Sequence, residues 1–397
     1  MNNRERVLTA LAHKEPDRTP LTLGGTSSNI TDNAYFRLKD YLGIKGDVKP
    51  YRYGHTGNIY DDRILDVLGT DYRYLVLHHP DDSHLTYRSD GSFIDEWGVR
   101  NKVVGGYSSR VGHPLAEATV DDLDDYPWPD PRKSGAQTLN QGIKERAKYL
   151  YNDTGHAIVA RAAMSTAFLE NGSWLCGYEN FLVKLMIDKP FAHKLIDKIL
   201  KVQIAMYDTL LEGVGEYVHI VETAEDYGTQ TSLLISPETY REMIMPARKK
   251  LNSFIRSKAP QAKIFHHTCG AVSKLIPDLI DSGIDILNPV QPLASGMESA
   301  EIKAKWGKTL CFDGGIDTQD AMPGTVEDVE VEVAKRILAL GPGGGYSLGC
   351  SNHILEDVPP QNVVALFELA KDLGRYPLDV PRLQRIVDNA PAENRKN

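Results

Sequence analysis

Short runs rich in β-branched or aromatic residues alternate with longer helical patterns along most of the chain. Seven intervals between the runs hold helical patterns of 10 residues or more, and another helical pattern follows the last run. This alternation is typical of an α/β fold in which helices join parallel strands. Eight such strands predict a (β/α)8 TIM barrel. The eight runs lie at residues 18–25, 71–79, 156–164, 216–226, 262–270, 284–290, 308–317 and 344–350.

One segment departs from this pattern. Residues 80–135 show strand-like alternation with an Asp90-Gly91 hairpin turn, followed by the proline-rich stretch LDDYPWPDPRK. We predict a β-rich insertion there, after the second strand, that wraps the barrel. The whole chain, residues 1–397, is then a single domain, and its polar tail from about 385 to 397 is expected to fray.

Composition excludes several classes of protein. The formal net charge is −9 and no basic stripe is present, so we expect no nucleic-acid partner. No apolar run approaches the roughly 20 residues of a membrane span. Residues 1–20 form an amphipathic helical pattern without the apolar segment of a signal peptide, which predicts a cytoplasmic protein. Four cysteines in such a chain favour metal or catalytic use, or burial as small apolar residues, over disulfides.

Polar and metal-binding residue types accumulate where the predicted strands end. In a barrel of this kind the active site lies at the carboxyl ends of the strands, so these residues are expected to converge. They are Gly24, Gly25, His78, His79, Glu222, Asp226, His266, His267, Cys269, Asn288, Asp313 and Cys350.

Three of these residues form a candidate zinc site. His267 and Cys269 are two residues apart on an extended strand end, so their side chains point to the same side. Cys350 ends the eighth predicted strand and completes a set of three ligands that leaves one position open, as catalytic zinc requires. Glu222 or Asp226 is a candidate fourth ligand or general base. The alternative is that the two acidic residues belong to a solvated loop and that the cysteines only pack.

The remaining candidates are assigned to the substrate. Asp313 either places the substrate or caps the following helix. His78 and His79 are candidate donors to a substrate carboxylate, with ordinary surface histidines as the alternative. We also assign His266 and Asn288 to substrate binding.

Several segments together resemble one known family. They are NRERVLTALAHKEPDRTP, DEWGVRNKVVGGY, HPLAEATVDDLDDYPWPDP, EDYGTQTSLLISPETYREMIMP, HHTCG, FDGGIDTQ and CSNHILEDVPPQNVVALFELAK, and they cover nearly the whole chain. This pattern resembles the uroporphyrinogen decarboxylase superfamily, and the resemblance implies a (β/α)8 barrel.

Two chemistries occur in that superfamily. The true decarboxylases carry an arginine-rich segment after the first strand and an HSDG-like sequence, where this chain reads LTLGGTSSNI and HTCG. The other branch holds corrinoid-dependent methyltransferases, several of which bind zinc through an H-x-C pair and a later cysteine. His267, Cys269 and Cys350 match that pattern, although CSNHILEDVPP replaces the shorter cysteine-glycine segment typical of those enzymes.

The resemblance therefore implies a zinc-dependent methyltransferase that acts on a small-molecule methyl donor or acceptor. The chain lacks a D-x-H-x-x-G motif for holding cobalamin, so a separate corrinoid protein is the expected partner. A homodimer is also compatible with the resemblance. The alternatives are a metal-free decarboxylase and a non-catalytic ligand-binding barrel.

Overall fold

A curled sheet of seven parallel strands organises the molecule. The computed structural model describes residues 1–24, 28–77, 82, 84–104, 107–132, 142–162 and 167–391. Neighbouring strands of this sheet follow one another along the chain, as expected when helices connect parallel strands. The strands are β1 (Tyr72–Val76), β6 (Ala157–Arg161), β7 (Ile220–Ala224), β8 (Lys263–His267), β9 (Ile286–Asn288), β10 (Cys311–Asp313) and β11 (Tyr346–Ser347).

Helices precede and follow the strands of this sheet. A π-helical turn spans Tyr240–Ile244, and a 3-10 turn spans Ser273–Leu275. The helices are α1 (Asn3–Leu11), α2 (Asp32–Tyr41), α3 (Asp62–Leu68), α4 (Asp122–Asp125), α5 (Ile143–Asn152), α6 (Leu169–Cys176), α7 (Tyr178–Ile187), α8 (Lys189–Leu211), α9 (Pro237–Thr239), α10 (Met245–Lys258), α11 (Ile276–Asp281), α12 (Ser299–Trp306), α13 (Val326–Leu340), α14 (Pro360–Leu373) and α15 (Val380–Asn389).

The first predicted strand, in its described part at residues 18–24, forms only isolated backbone contacts. Leu21 forms a parallel bridge with Leu348, just beyond β11, and its carbonyl accepts a 2.8 Å hydrogen bond from the Asp71 N–H, next to β1. Residues 20–22 therefore contact both edges of the seven-stranded sheet. Pro20 has no N–H to donate, which helps to explain why a regular ladder does not form here.

A second sheet lies between β1 and β6 in the chain. It is antiparallel, with the order β2 (Thr86–Tyr87), β3 (Phe93–Ile94), β4 (Arg100–Val104) and β5 (Tyr107–Gly112). The turn between β2 and β3 contains Gly91 at φ 79°, a left-handed conformation that glycine adopts without strain. The segment thus contains the antiparallel strands that its alternation predicts. Its Trp97 and Val99 are buried in the core that also contains the helices.

The inner face of the curled sheet is layered. Alternate residues of its strands, including Tyr72, Val159, Ile220 and Phe265, pack with Val7 and Leu11 of α1 into one apolar cluster. Because side chains alternate along a strand, the residues two positions later share that inner face. We call these residues the polar layer: Arg161, Glu222, His267, Asn288 and Asp313.

The chain end differs from the sequence-based expectation. Helix α15 continues to Asn389, because Asp379 caps its first turn and Leu383 is buried, with 1% of its surface exposed. Helical structure thus extends into the segment that was expected to fray from about residue 385, and residues 392–397 lie outside the described residues. Within the described ranges, no helix combines the length and the apolar composition that crossing a membrane requires.

Candidate metal centre

A chain of hydrogen bonds in the polar layer orients His267. Asn288 Nδ2 donates to Asp313 Oδ1 over 2.8 Å, which leaves Asn288 Oδ1 as an acceptor. That oxygen lies 2.5 Å from His267 Nδ1, so Nδ1 is the donor of this hydrogen bond. His267 Nε2 is therefore the ring nitrogen available to a metal, and it is directed away from the layer. Metal-binding histidines usually have such a hydrogen-bond acceptor next to the ring nitrogen that does not bind the metal.

Two side chains lie beside that nitrogen. Cys269 Sγ lies 3.2 Å from His267 Nε2, and Asp226 Oδ1 lies 3.6 Å from the same nitrogen. The three donor atoms are all within 4.8 Å of one another. We call Asp226, His267 and Cys269 the ligand cluster. Imidazole, thiolate and carboxylate are the ligand types that zinc accepts, so the donor set fits this metal.

Backbone contacts between two loops hold the cluster together. The Cys269 N–H donates to Asp226 Oδ1 over 2.7 Å, which joins the loop after β8 to the loop after β7. Gly270 follows at φ 87°, and a Cβ added there would lie 2.5 Å from the carbonyl carbon of Gly228. The glycine of HHTCG is therefore required by the close approach of these loops.

The Cys269 thiol sits in an acidic environment. Burial raises its pKa, and the neighbouring carboxylates of Asp226 and Glu170 raise it further. The side-chain amide of Asn352 donates to Cys269 Sγ over 3.7 Å. Without a cation the thiol therefore keeps its proton, whereas a dication among the three donors would favour the thiolate.

Cys350 does not join the cluster, contrary to the prediction that it is the third ligand. It pairs with Ile316 in an isolated bridge, and its side chain is buried in the hydrophobic core with 2% exposed. Burial raises the pKa of its thiol to about 12, and the carboxylates of Asp317 and Glu332 contribute. The third position in the cluster is taken by Asp226, which the sequence offered as a fourth ligand or general base.

His266 faces away from the cluster. Its Nδ1 lies 2.8 Å from Thr223 Oγ1, and the ring is completely buried beside Tyr227. As the immediate neighbour of His267 on β8, it points to the opposite face of the strand. The structure thus corrects its assignment to substrate binding. His78 and His79, the other two histidines assigned to the substrate, lie outside the described residues.

Glu222 belongs to the polar layer and not to the ligand cluster. Its Oε1 lies 3.7 Å from Arg161 Nε, and 2% of its side chain is exposed. Asp226, by contrast, has 39% of its side chain exposed. Of the two acidic residues proposed as a fourth ligand or base, only Asp226 is close to His267 and Cys269.

Asn288 and Asp313 lie in the polar layer next to the ligand cluster. Both are buried and hydrogen-bonded to each other. The sequence predicted that Asn288 binds the substrate, whereas in the structure Asn288 orients His267. Asp313 caps no helix, because Thr325 caps α13. Burial raises the pKa of Asp313 to about 7, the charge of Glu222 raises it, and the hydrogen bond from Asn288 opposes the change.

The raised pKa of Asp313 predicts a pH-dependent stability. The folded protein holds a proton that the unfolded chain, with a carboxyl pKa of about 3.9, releases between about pH 4 and 7. This group therefore lowers the free energy of unfolding as the pH rises through that range. We expect the Asp313→Asn protein not to show this decrease in the free energy of unfolding. The decrease amounts to up to about 4 kcal/mol, at ~1.4 kcal/mol per pKa unit. Denaturant unfolding at several pH values measures this, and parallel profiles for the two proteins would contradict it.

Sequence reasoning missed Glu225, which positions the loop that carries Asp226. Its Oε1 accepts the N–H groups of Phe168, at 2.6 Å, and Leu169, at the start of α6. Its Oε2 accepts from Tyr227 Oη at 2.6 Å and from Arg248 at 2.9 Å. Glu225 and Arg248 are both fully buried. The available signal was a third acidic residue in ETAEDYG, next to Asp226 but facing the helices.

Comparison with known proteins identifies the family of this chain, and the related proteins have two kinds of activity. The sequence profile of the uroporphyrinogen decarboxylase family matches residues 96–373. The chain is 27% identical over 293 residues to the methylated-thiol–coenzyme M methyltransferase of Methanosarcina mazei, covering 71% of this chain and 72% of that protein. It is 26% identical over 198 residues to the uroporphyrinogen decarboxylase of Chlorobium limicola, covering 48% and 52% respectively.

A solved structure shares the fold. A methyltransferase from Methanosarcina mazei superposes with a TM-score of 0.63 at 17% identity, covering 94% of this chain and 99% of that chain. At this level of identity the similarity shows the architecture alone.

Proposed function

The chain belongs to the uroporphyrinogen decarboxylase family, and on that premise we propose that it is a zinc-dependent methyltransferase that works with a separate corrinoid protein. The observation that carries the proposal is the ligand cluster of Asp226, His267 and Cys269, with donor atoms within 4.8 Å of one another. Similarity to a methyltransferase over 71% of the chain supports the reaction class. The metal, the corrinoid and the direction of methyl transfer are parts of the proposal.

The residues of the cluster have separate roles in this proposal. His267, Cys269 and Asp226 hold the zinc and leave one position for a substrate atom. When bound, zinc acts as a Lewis acid that lowers the pKa of a thiol or makes a methoxy oxygen a better leaving group. Asn288 keeps the proton of His267 on Nδ1, so that Nε2 remains available. The Cys269 N–H fixes the Asp226 carboxylate at the open side of the site.

Other parts of the proposal concern the scaffold and its setting. We propose that residues 18–25 complete an eight-stranded barrel, because Leu21 contacts both edges of the sheet. Residues 80–135 are then an insertion after the second strand. All four cysteines are free thiols, which agrees with a reducing, cytoplasmic setting. Homodimer formation remains a prediction.

Metal removal tests the function directly. We expect the purified protein to contain about one zinc ion per chain and to methylate free cob(I)alamin from a panel of methoxy, methylthio and methylamine donors. Chelation is expected to abolish methyl transfer, and zinc is expected to restore it. Elemental analysis and the cobalamin absorbance spectrum are the measurements. A zinc-free protein that decarboxylates a tetrapyrrole would replace this proposal with the decarboxylase alternative.

A further inference from the structure

The imidazole ring of His267 lies between two proton acceptors. On one side, Nδ1 donates to Asn288 Oδ1 over 2.5 Å. On the other side, Nε2 has Asp226 Oδ1 at 3.6 Å and Cys269 Sγ at 3.2 Å. A carboxylate favours a proton on the nitrogen that faces it, so Asp226 favours a proton on Nε2. A metal ion needs the lone pair of Nε2, and the ring proton must therefore be kept on Nδ1 against the attraction of Asp226.

The amide of Asn288 does not decide this by itself, because it can present either its oxygen or its nitrogen to His267. Ser28 imposes no direction, since its hydroxyl can donate or accept and its Oγ lies 3.2 Å from Asn288 Nδ2 and 3.3 Å from Asn288 Oδ1. An ionised carboxylate only accepts. Asp313 Oδ1 accepts from Asn288 Nδ2 over 2.8 Å, and the Asp313 carbonyl accepts from the same nitrogen over 3.4 Å. The carboxylate of Asp313 therefore turns the Asn288 oxygen toward His267.

Asp313 is shielded from solvent, which makes this orientation strict. Its side chain is buried and borders a small internal cavity together with Glu222 and apolar side chains that include Val159 and Phe265. In surroundings of this kind a hydrogen bond is stronger than in water. If Asn288 turned its oxygen toward the carboxylate, two acceptors would face each other without a proton between them, at the cost of a buried hydrogen bond. The direction of the whole chain of hydrogen bonds thus depends on Asp313.

We propose that Asp313 is a positioning residue for the metal centre, which acts through the Asn288 amide to keep the lone pair of His267 on Nε2. The inference rests on the proposed function in that zinc is the ion that uses this lone pair. The role differs from the substrate placement and the helix cap that the sequence predicted for Asp313. Asp313→Asn is the informative variant, because it keeps the shape of the side chain but can present either an oxygen or a nitrogen to Asn288. The chain of hydrogen bonds can then invert, with His267 Nε2 protonated and facing Asp226.

Nitrogen NMR of the full-length protein, labelled on histidine nitrogens and freed of metal by chelation, measures the tautomer directly. The signals of His267 are identified by their absence from the spectrum of His267→Gln. At about pH 8.5, above the ordinary imidazole pKa of ~6.5, we expect the wild type to hold the ring proton on Nδ1. Asp313→Asn is expected to shift the ratio of the two tautomers by about 10-fold or more toward the form protonated on Nε2, the effect of losing a hydrogen bond to a charged acceptor. An unchanged ratio overturns the proposal.

Further variants separate this inference from the function on which it rests. Glu222→Gln is the matched control, because Glu222 borders the same cavity but lies beside Arg161, and it is expected to keep the wild-type tautomer. Asp313→Ala removes the carboxylate acceptor altogether and is expected to shift the ratio in the same direction as Asp313→Asn. The zinc affinity of Asp313→Asn is expected to fall by about 10-fold. Wild-type zinc affinity despite a shifted tautomer overturns the link to the metal centre, whereas a shifted tautomer in a chain that binds no zinc overturns only the proposed function.

Discussion

Cys269→Ala and Asp226→Ala proteins are expected to lose their zinc, whereas Cys350→Ala is expected to bind zinc as the wild type does. The reason is geometric: the sulfur of Cys269 and a carboxylate oxygen of Asp226 lie within 4.8 Å of each other and of His267 Nε2. Cys350 is instead buried in the core and is not among the three side chains whose donor atoms come together. We expect the zinc affinity of the first two variants to fall by about 100-fold or more. This exceeds the roughly 10–100-fold loss that follows when a residue that only orients a ligand is changed.

Elemental analysis and competition with a zinc chelator measure this difference. Cys176→Ala provides the matched control, because Cys176 is another buried thiol and lies in α6, away from the cluster. The opposite pattern, in which Cys350→Ala loses zinc and Asp226→Ala keeps it, would show that the metal-bound protein uses the two-cysteine set implied by the family resemblance. The side chain of Cys350 would then have to leave the core when zinc binds.

The parallel sheet was predictable because its signal is local. Each run of β-branched residues can be recognised without its neighbours, and seven of the eight predicted runs contain a strand of the parallel sheet. The described part of the first run, residues 18–24, forms only isolated bridges, and Pro20 within it has no N–H to donate to a ladder. The antiparallel sheet was also predictable, since its turn at Asp90-Gly91 has the composition that a tight turn requires.

The site was predictable only where the strand geometry is regular. His267 and Cys269 were placed together by the two-residue period of an extended chain, and the structure brings them within 3.2 Å. The same period excludes His266, whose ring packs on the opposite face of β8. Cys350 lies three residues beyond the last regular residue of β11, where alternation no longer fixes the direction of a side chain.

The contacts that sequence reasoning missed join loops from different strands. The Cys269 N–H binds the Asp226 carboxylate across 43 positions of sequence, and Asn352 reaches Cys269 Sγ across 83. No periodic pattern relates such positions, because each loop has its own length and turns.

Arg248→Met is expected to lower the free energy of unfolding by about 3–5 kcal/mol, the cost of leaving one member of a buried ion pair without its partner. Arg248 Nη2 donates to Glu225 Oε2 over 2.9 Å, and both side chains are fully buried. Its guanidinium carbon also lies 4.9 Å from the centre of the Phe168 ring. Methionine fills part of the space but supplies no positive charge.

Denaturant unfolding of three further proteins isolates the charge effect. Arg256→Met is the control on the same helix, because 40% of the Arg256 side chain is exposed and an exposed pair contributes at most about 1 kcal/mol. The double variant Arg248→Met, Glu225→Gln lacks both charges of the pair. Its free energy of unfolding is therefore expected to be higher than that of Arg248→Met alone. Glu225→Gln alone completes the cycle. Equal losses for Arg248→Met and Arg256→Met would contradict the expected role of this buried pair.

The same pair connects stability with the candidate metal centre. Glu225 binds the backbone at the start of α6 and is followed directly by Asp226, so the position of the Asp226 carboxylate depends on how Glu225 is held. Arg248→Met is therefore expected to weaken zinc binding by about 10-fold, in the range of other changes to groups that orient a ligand. Arg256→Met is expected to leave zinc affinity unchanged. Loss of stability without loss of zinc affinity would show that the loop after β7 keeps its position without this ion pair.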